Sequence, residues 1–156
     1  MHPAPRFAVA WLSIVLTTAA AAAAPQAGHD WIIVTDPTDR EITWTPTAEQ
    51  VLAGREAARA AVQHAAQDSR LANRPGGRRD VARKILAQWR QYRLQACGLT
   101  DHRRRVVYLS FVTPGAYIQW KRNEMVSISD GWFYYWQAWY DPVSKRIIEW
   151  QANGRA

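Results

Sequence analysis

The spacing of apolar and polar residues changes once, near residue 90, from a helical period to an alternating one, and this divides the chain into a helical part and a stranded part. Ahead of the helical part, Trp31 to Thr35 and Glu41 to Thr45 are short β-prone runs around Asp36-Pro37-Thr38-Asp39. Proline presets a turn dihedral and aspartate caps turn backbone, so residues 24–45 are predicted to form a small hairpin or an extended arm. Thr47 stands three residues before Gln50, the spacing of a capping box. A helix is therefore predicted from Ala48 to Ser69. Its apolar stripe is Val51, Ala58, Val62 and Ala65, with Arg55, Arg59, Gln63 and Arg70 near the opposite side.

Asn73-Arg74-Pro75-Gly76-Gly77 breaks the pattern and reads as a solvated connector, since glycines outside a strand-loop-helix context are weak evidence for an anion-binding loop. Asp80 is placed as the cap of a short second helix, Val81 to about Trp89. Beyond it, Tyr92, Leu94 and Ala96 alternate with Arg93, Gln95 and Cys97. A turn is predicted over Gly98 to His102, and Val106 to Val112 is the partner strand. Val126 to Ser129 and Trp132 to Tyr140 flank Asp130-Gly131, a pair suited to a two-residue hairpin with positive φ. Asp141-Pro142-Val143-Ser144 then turns the chain into Arg146 to Gln151.

This order predicts an α+β fold: an N-terminal helix and a short second helix packed on a C-terminal antiparallel meander of about five strands, forming one domain over residues 46–156. It resembles the cystatin-like and NTF2-like folds, in which a curved antiparallel sheet cradles a helix. Arg90-Gln91-Tyr92, Val106-Val107-Tyr108, Trp120 ahead of Val126 to Gly131, Tyr140-Asp141-Pro142 and the terminal Asn153-Gly154-Arg155-Ala156 are similar to a group of small exported bacterial proteins of uncharacterised function. That resemblance carries no catalytic residues.

Residues 7–24 are apolar behind Arg6 and end in alanines, the pattern of a secretory signal peptide over residues 1–23. Cleavage after Ala23 is predicted, because cutting after Ala24 places Pro25 at the scissile bond. An uncleaved anchor is the alternative, since roughly 18 apolar residues can span a bilayer; a lipid anchor lacks the cysteine it needs. The expected location is periplasmic or secreted, and after cleavage the protein is not an integral membrane protein. Cys97 is the single cysteine, so no internal disulfide forms, and it reads as a small apolar core residue.

Charge narrows the partners. Lysine and arginine number 20 against 13 acids, a net charge of +7 that becomes +6 without Arg6. Such a chain favours anions, and for an exported protein these are a cell-envelope glycan, an anionic lipid or a protein rather than nucleic acid.

Catalytic chemistry is thinly represented. Cys97 with Asp101 and His102, or His64 with Asp68, are the pairs an enzyme could use, and an NTF2-like site needs an aspartate and a histidine facing the sheet cavity. An Ala27-Gly28-His29 copper site requires cleavage after Gln26, which signal peptidase rejects. No cofactor and no metal ligand set is predicted. The conspicuous feature is the strand Trp132 to Tyr140: Trp132, Tyr134, Trp136, Ala138 and Tyr140 share one face, and Phe133, Tyr135, Gln137 and Trp139 the other. Either it is a core strand covered on both sides, or one face is open. The sequence therefore points to a non-enzymatic exported binding protein with aromatic and basic contacts from Tyr117, Trp120, Arg122, Trp132, Trp136, Trp139 and Arg146. A small periplasmic enzyme with a sheet-cavity site is the alternative.

Overall fold

The computed structural model describes residues 28–35, 42–71, 74–113, 120–121 and 123–153. The signal segment, the Asp36–Asp39 turn, Asn73, Pro114-Gly115, Tyr117, Arg122 and the terminal Gly154–Ala156 lie outside the described residues.

The helix α1 spans Ala48–Gln67 and begins with the capping box: the Thr47 hydroxyl accepts from the Gln50 amide at 3.2 Å, and the Gln50 carboxamide accepts from the Thr47 amide at 2.9 Å. Val51, Ala58, Val62 and Ala65 are all buried, joined by Gly54 and Ala66. At Gly54, α1 packs directly on the sheet. A Cβ there would lie 3.0 Å from the Tyr140 ring and 3.1 Å from Leu109. Helix α2 spans Arg78–Ala87 and is capped by Gly77, not by Asp80. Asp80 sits one turn further in, where its carboxylate accepts from the Gly76 amide at 2.9 Å and pairs with Lys84 at 3.1 Å. A single 3-10 turn, Trp89–Gln91, leads into the sheet.

Five strands follow one another across that sheet: β1 Trp31–Ile33, β2 Arg93–Asp101, β3 Arg104–Val112, β4 Tyr135–Asp141 and β5 Arg146–Ala152. The predicted α+β class is present, but the sheet is mixed. Only β2 to β5 form an antiparallel meander, whereas β1 runs parallel to β2, with Trp31 opposite Leu94 and Ile33 opposite Ala96. The arm is likewise no hairpin over its described residues. Trp44 makes an antiparallel bridge to Gly98 further along β2, and its indole nitrogen donates to the Leu99 carbonyl at 2.8 Å. Both runs thus satisfy their backbone on the long edge of β2 instead of on each other, and they cover it.

Each face of the sheet is packed. Toward the helices, Leu94, Ala96, Val107, Leu109, Phe111, Trp136, Ala138 and Tyr140 meet α1 and α2. Phe111 and Trp136 stack with centroids 4.0 Å apart and planes 4° from parallel, and Trp89, Tyr92 and Trp150 close around them. On the far face, Cys97, Tyr108, Val112 and Tyr135 lie beneath Trp120 and Met125, with Ile32 and Val34 beside them. From Tyr135 onward β4 therefore alternates as predicted, with aromatic side chains on both faces.

The Asp130-Gly131 hairpin is not formed. Gly131 has φ −80° and ψ −12°, the positive φ of 44° falls on Trp132, and Trp132–Tyr134 make one 3-10 turn before β4 starts at Tyr135. Val126 to Ser129 is not a strand, because its backbone is satisfied by side chains. The Val126 amide donates to the Gln95 carboxamide at 2.7 Å, and the Val126 carbonyl accepts from the Tyr135 hydroxyl at 2.6 Å. Glycine is needed at 131 for space: a Cβ would lie 2.3 Å from Tyr135 Cβ.

Gln95 holds the far layer in place. Besides accepting from Val126, its amide nitrogen donates to the carbonyls of Trp120 and Glu124, both at 2.8 Å, from a fully buried position in β2. Replacing it with alanine removes three hydrogen bonds and strands buried backbone groups, for a loss of roughly 3 kcal/mol at about 1 kcal/mol each. Denaturant unfolding of Gln95→Ala measures this; a stability within about 0.5 kcal/mol of wild type would show that the far layer is held by other contacts.

Candidate functional site

In a meander, alternate turns fall at the same end of the sheet, so the β2–β3 and β4–β5 turns are neighbours. The first is the two-residue connection His102-Arg103, later and tighter than the predicted Gly98–His102 turn. Both residues have positive φ, 44° and 67°. That is the geometry in which Asn-Gly is preferred; here it carries an imidazole and a guanidinium. The second runs from Asp141 to Arg146. Its Asp141 carboxylate accepts from the Val143 amide at 2.8 Å, the Ser144 amide at 3.2 Å and the Ser144 hydroxyl at 2.9 Å, while Lys145 takes φ 56°.

This end of the sheet is cationic. Arg103, Arg104, Arg105, Lys145 and Arg146 are all exposed there, against the acids Asp101 and Asp141. Asp141 is already engaged: the Val143 amide first, then the Ser144 hydroxyl and amide and the charge of Arg104, hold its carboxyl below the usual range. Burial, with Asp141 nearby, pushes the Tyr140 hydroxyl up. Val143 projects from the second turn, 87% exposed.

Beside the turns, the far layer stops short and leaves a cleft of about 370 Å³ lined by Leu99, Thr100, Asp101, Val106, Trp139, Ile148 and Glu149. Trp139 is half-buried, with its ring centroid 5.3 Å from that of Tyr108. Arg146 stands opposite Asp141, and Trp139 opposite Glu149, so Arg146 and Trp139 share the far face. The apolar floor and aromatic ring therefore adjoin the Arg146 guanidinium, while the charged groups that line the cleft itself are the carboxylates of Asp101 and Glu149. Such a surface suits a ligand with anionic or hydroxyl groups.

Among the residues singled out from the sequence, the fold brings Trp139 and Arg146 together at this end and separates the others. Trp136 is fully buried in the ring stack under the helices, and Trp120 is buried as part of the layer that Gln95 holds. Neither offers a binding surface, because Trp136 fills the core on the helix side and Trp120 covers the far face. Trp132 is half-buried on the helix side, with the Lys84 ammonium 4.0 Å above its ring. Tyr117 and Arg122 lie outside the described residues.

The catalytic pairings come apart as well. Cys97 is buried in the far core, while Asp101 and His102 are exposed at the tip, 3.6 Å apart. Asp68 is held by Arg70 at 2.8 Å, and the Arg70 hydrogen bonds, side chain before backbone, keep its carboxyl down at about 2; His64 is exposed. The space between helices and sheet is filled by Trp89, Tyr92, Phe111 and Trp136. The Tyr92 hydroxyl donates to the Phe133 carbonyl, and burial pushes its pKa far up. Among the described residues the buried polar side chains are Gln95, Ser110 and Gln137. Three or more metal-ligating side chains do not gather anywhere in the described residues, and no described helix is long and apolar enough to cross a membrane.

No known protein family, curated protein or solved structure matches the chain.

The His102-Arg103 turn generates a stability expectation. Asn at 102 and Gly at 103 fit positive φ without steric cost, so His102→Asn/Arg103→Gly is expected to gain about 1 kcal/mol and to raise the melting midpoint by roughly 2–5 °C. A midpoint equal to or below that of wild type would mean that the charged turn carries no conformational cost.

Proposed function

We propose that the protein is exported and works by binding, using the cationic end of its sheet and the adjoining Trp139 cleft to hold an anionic, hydroxyl-bearing partner of the cell envelope. The observation that carries this reading is that Arg103, Arg104, Lys145 and Arg146 are exposed on or beside two neighbouring turns at one end of the sheet, with Arg146 on the same face as the half-buried Trp139, while Arg105 lies over the Trp44 ring. Two of the turn residues that carry charge outward, Arg103 and Lys145, occupy left-handed backbone, which costs about 1 kcal/mol or more for a residue other than glycine. Retaining that cost on exposed cations is a reason to assign them work other than folding. Export rests on the apolar run 7–24 and its alanine cut site.

A helix lying on a meander that follows it in sequence supports a cystatin-like or NTF2-like arrangement, with a parallel β1 added at the edge. The aromatic filling between helices and sheet favours binding at the rim over an enzyme that works from the sheet cavity. Glycan, anionic lipid and acidic protein share the chemistry that the rim accepts.

The test separates this site from net charge. Arg103→Gln/Arg104→Gln/Arg105→Gln and the control Arg74→Gln/Arg83→Gln/Arg90→Gln remove the same charge from different places. Binding to a carboxylated glycan resin and to phosphatidylglycerol vesicles is measured for both. The tip variant is expected to lose roughly a hundredfold in affinity on at least one probe, at about 1 kcal/mol per cation, and the control only a few-fold. Equal losses in the two variants would overturn the site, leaving only the attraction of a basic chain for anions.

A further inference from the structure

The cleft beside Trp139 lies at the cationic end of the sheet, yet the charged side chains in its lining are both acids, Asp101 and Glu149. Lysine and arginine outnumber acids 20 to 13 in the chain, so composition alone does not provide a carboxylate-lined cavity. The two acids stand apart: Asp101 is on β2 and Glu149 on β5, with β3 and β4 between them. Glu149 is the one beside the ring, directly opposite Trp139 on the far face. It is exposed, and it forms no ion pair with Arg146 or any other described residue. The other acids at this end are engaged. Asp141 accepts from Val143 and Ser144, while Asp101 has His102 at 3.6 Å and Arg104 opposite it in the β2–β3 pair.

Arg146 completes the arrangement. In a regular strand residues 146 and 149 would point to opposite faces, but the irregularity in the β4–β5 pairing shifts the register. Arg146 pairs with Asp141 and Glu149 with Trp139, two residues apart on β4, so guanidinium and carboxylate share the far face. Two residues along a strand span about 7 Å. A negative and a positive side chain thus stand a short step apart next to a half-buried indole, with Leu99, Val106 and Ile148 as apolar lining. A ligand cation held against a carboxylate and an aromatic face gains from both. A guanidinium offers a phosphate paired donors. The cleft, about 370 Å³, falls within the range of small-ligand sites, about 300–1,000 Å³.

We infer that this cleft takes a zwitterionic group, the phosphate ester of an amino alcohol, with its ammonium between Glu149 and Trp139 and its phosphate on Arg146. The inference rests on the binding reading for the end of the sheet that is used, and it adds that the partner's anion carries an ammonium beside it. A lipid headgroup and a free or glycan-borne phosphoethanolamine share this chemistry. Glu149 and Trp139 select the ammonium and Arg146 the phosphate, so the two contributions can be measured separately.

The indole N–H resonance of Trp139 reports occupancy of the cleft, and titrations compare phosphoethanolamine with ethyl phosphate, which lacks the ammonium. Wild type is expected to bind phosphoethanolamine about tenfold more tightly than ethyl phosphate. Glu149→Gln is expected to cut that preference to about twofold without weakening ethyl phosphate, and Arg146→Gln to weaken both probes about equally. Both residues are exposed, so the variants keep the fold. Phosphatidylglycerol vesicles with and without phosphatidylethanolamine identify the source. A gain from phosphatidylethanolamine that Glu149→Gln removes assigns a lipid headgroup, and a preference confined to the soluble probe assigns the free or glycan-borne ester. A wild type without preference, a preference that survives Glu149→Gln, or binding that leaves the Trp139 resonance unmoved would overturn the inference. The ratio compares two ligands with the same phosphate, so it stays readable whether or not the Arg103→Gln/Arg104→Gln/Arg105→Gln comparison supports the wider binding reading.

Discussion

The carboxamide of Gln95 decides what happens on the side of the sheet away from the helices. Strand β4 carries aromatic residues on both faces, so one helical layer cannot bury it, and a second cover is required. That cover contains no helix or strand among its described residues. It is the segment around Trp120 to Ile128, whose backbone groups find partners in side chains of the sheet: Gln95 satisfies two carbonyls and one amide, and Tyr135 one further carbonyl. A buried backbone group without a partner costs about as much as a lost hydrogen bond or more, so an irregular segment can lie on apolar surface only where the surface supplies such partners.

Because the cover is tied down at Gln95, near the start of β2, its described residues protect one end of the far face and leave the other uncovered by any described residue. The open end is the one that carries the two neighbouring turns, and there Trp139 remains half-buried in a cleft. Thus the same clamp that makes Trp120 a core residue leaves Trp139 half-buried. The cations at this end stand on or beside two short turns, with Arg103 and Lys145 at positive φ.

Local signals in the sequence were enough for α1, whose capping box and apolar spacing appear as read, ending at Gln67 instead of Ser69. They were enough for the two-faced character of β4 from Tyr135 onward as well. Where they failed, a distant partner outweighed the local preference. Asp130-Gly131 has the composition of a hairpin, but Val126 is bound by Gln95, 31 positions earlier, and no strand remained for the hairpin to join. The parallel setting of β1 depends on the free edge of β2, 63 positions away in the chain, which no local pattern reveals. Trp120 and Trp136 were misread as surface because aromatic residues look alike in a sequence whether they pack or bind. The cationic end was legible in principle: once consecutive antiparallel strands are recognised, alternate turns must be neighbours, and Arg103-Arg104-Arg105 and Lys145-Arg146 then fall side by side. Gln95 itself gave no signal, since a polar residue on an alternating strand reads as solvent-facing.

Hydrogen exchange at the Val126 amide tests the central claim directly. Held by Gln95 next to the buried Met125, that amide is expected to exchange only when the whole domain unfolds, with the same protection as the Leu109 amide in β3. Exchange of Val126 at the rate of an open loop while Leu109 stays protected would contradict the account, since the far layer would then detach without unfolding the sheet.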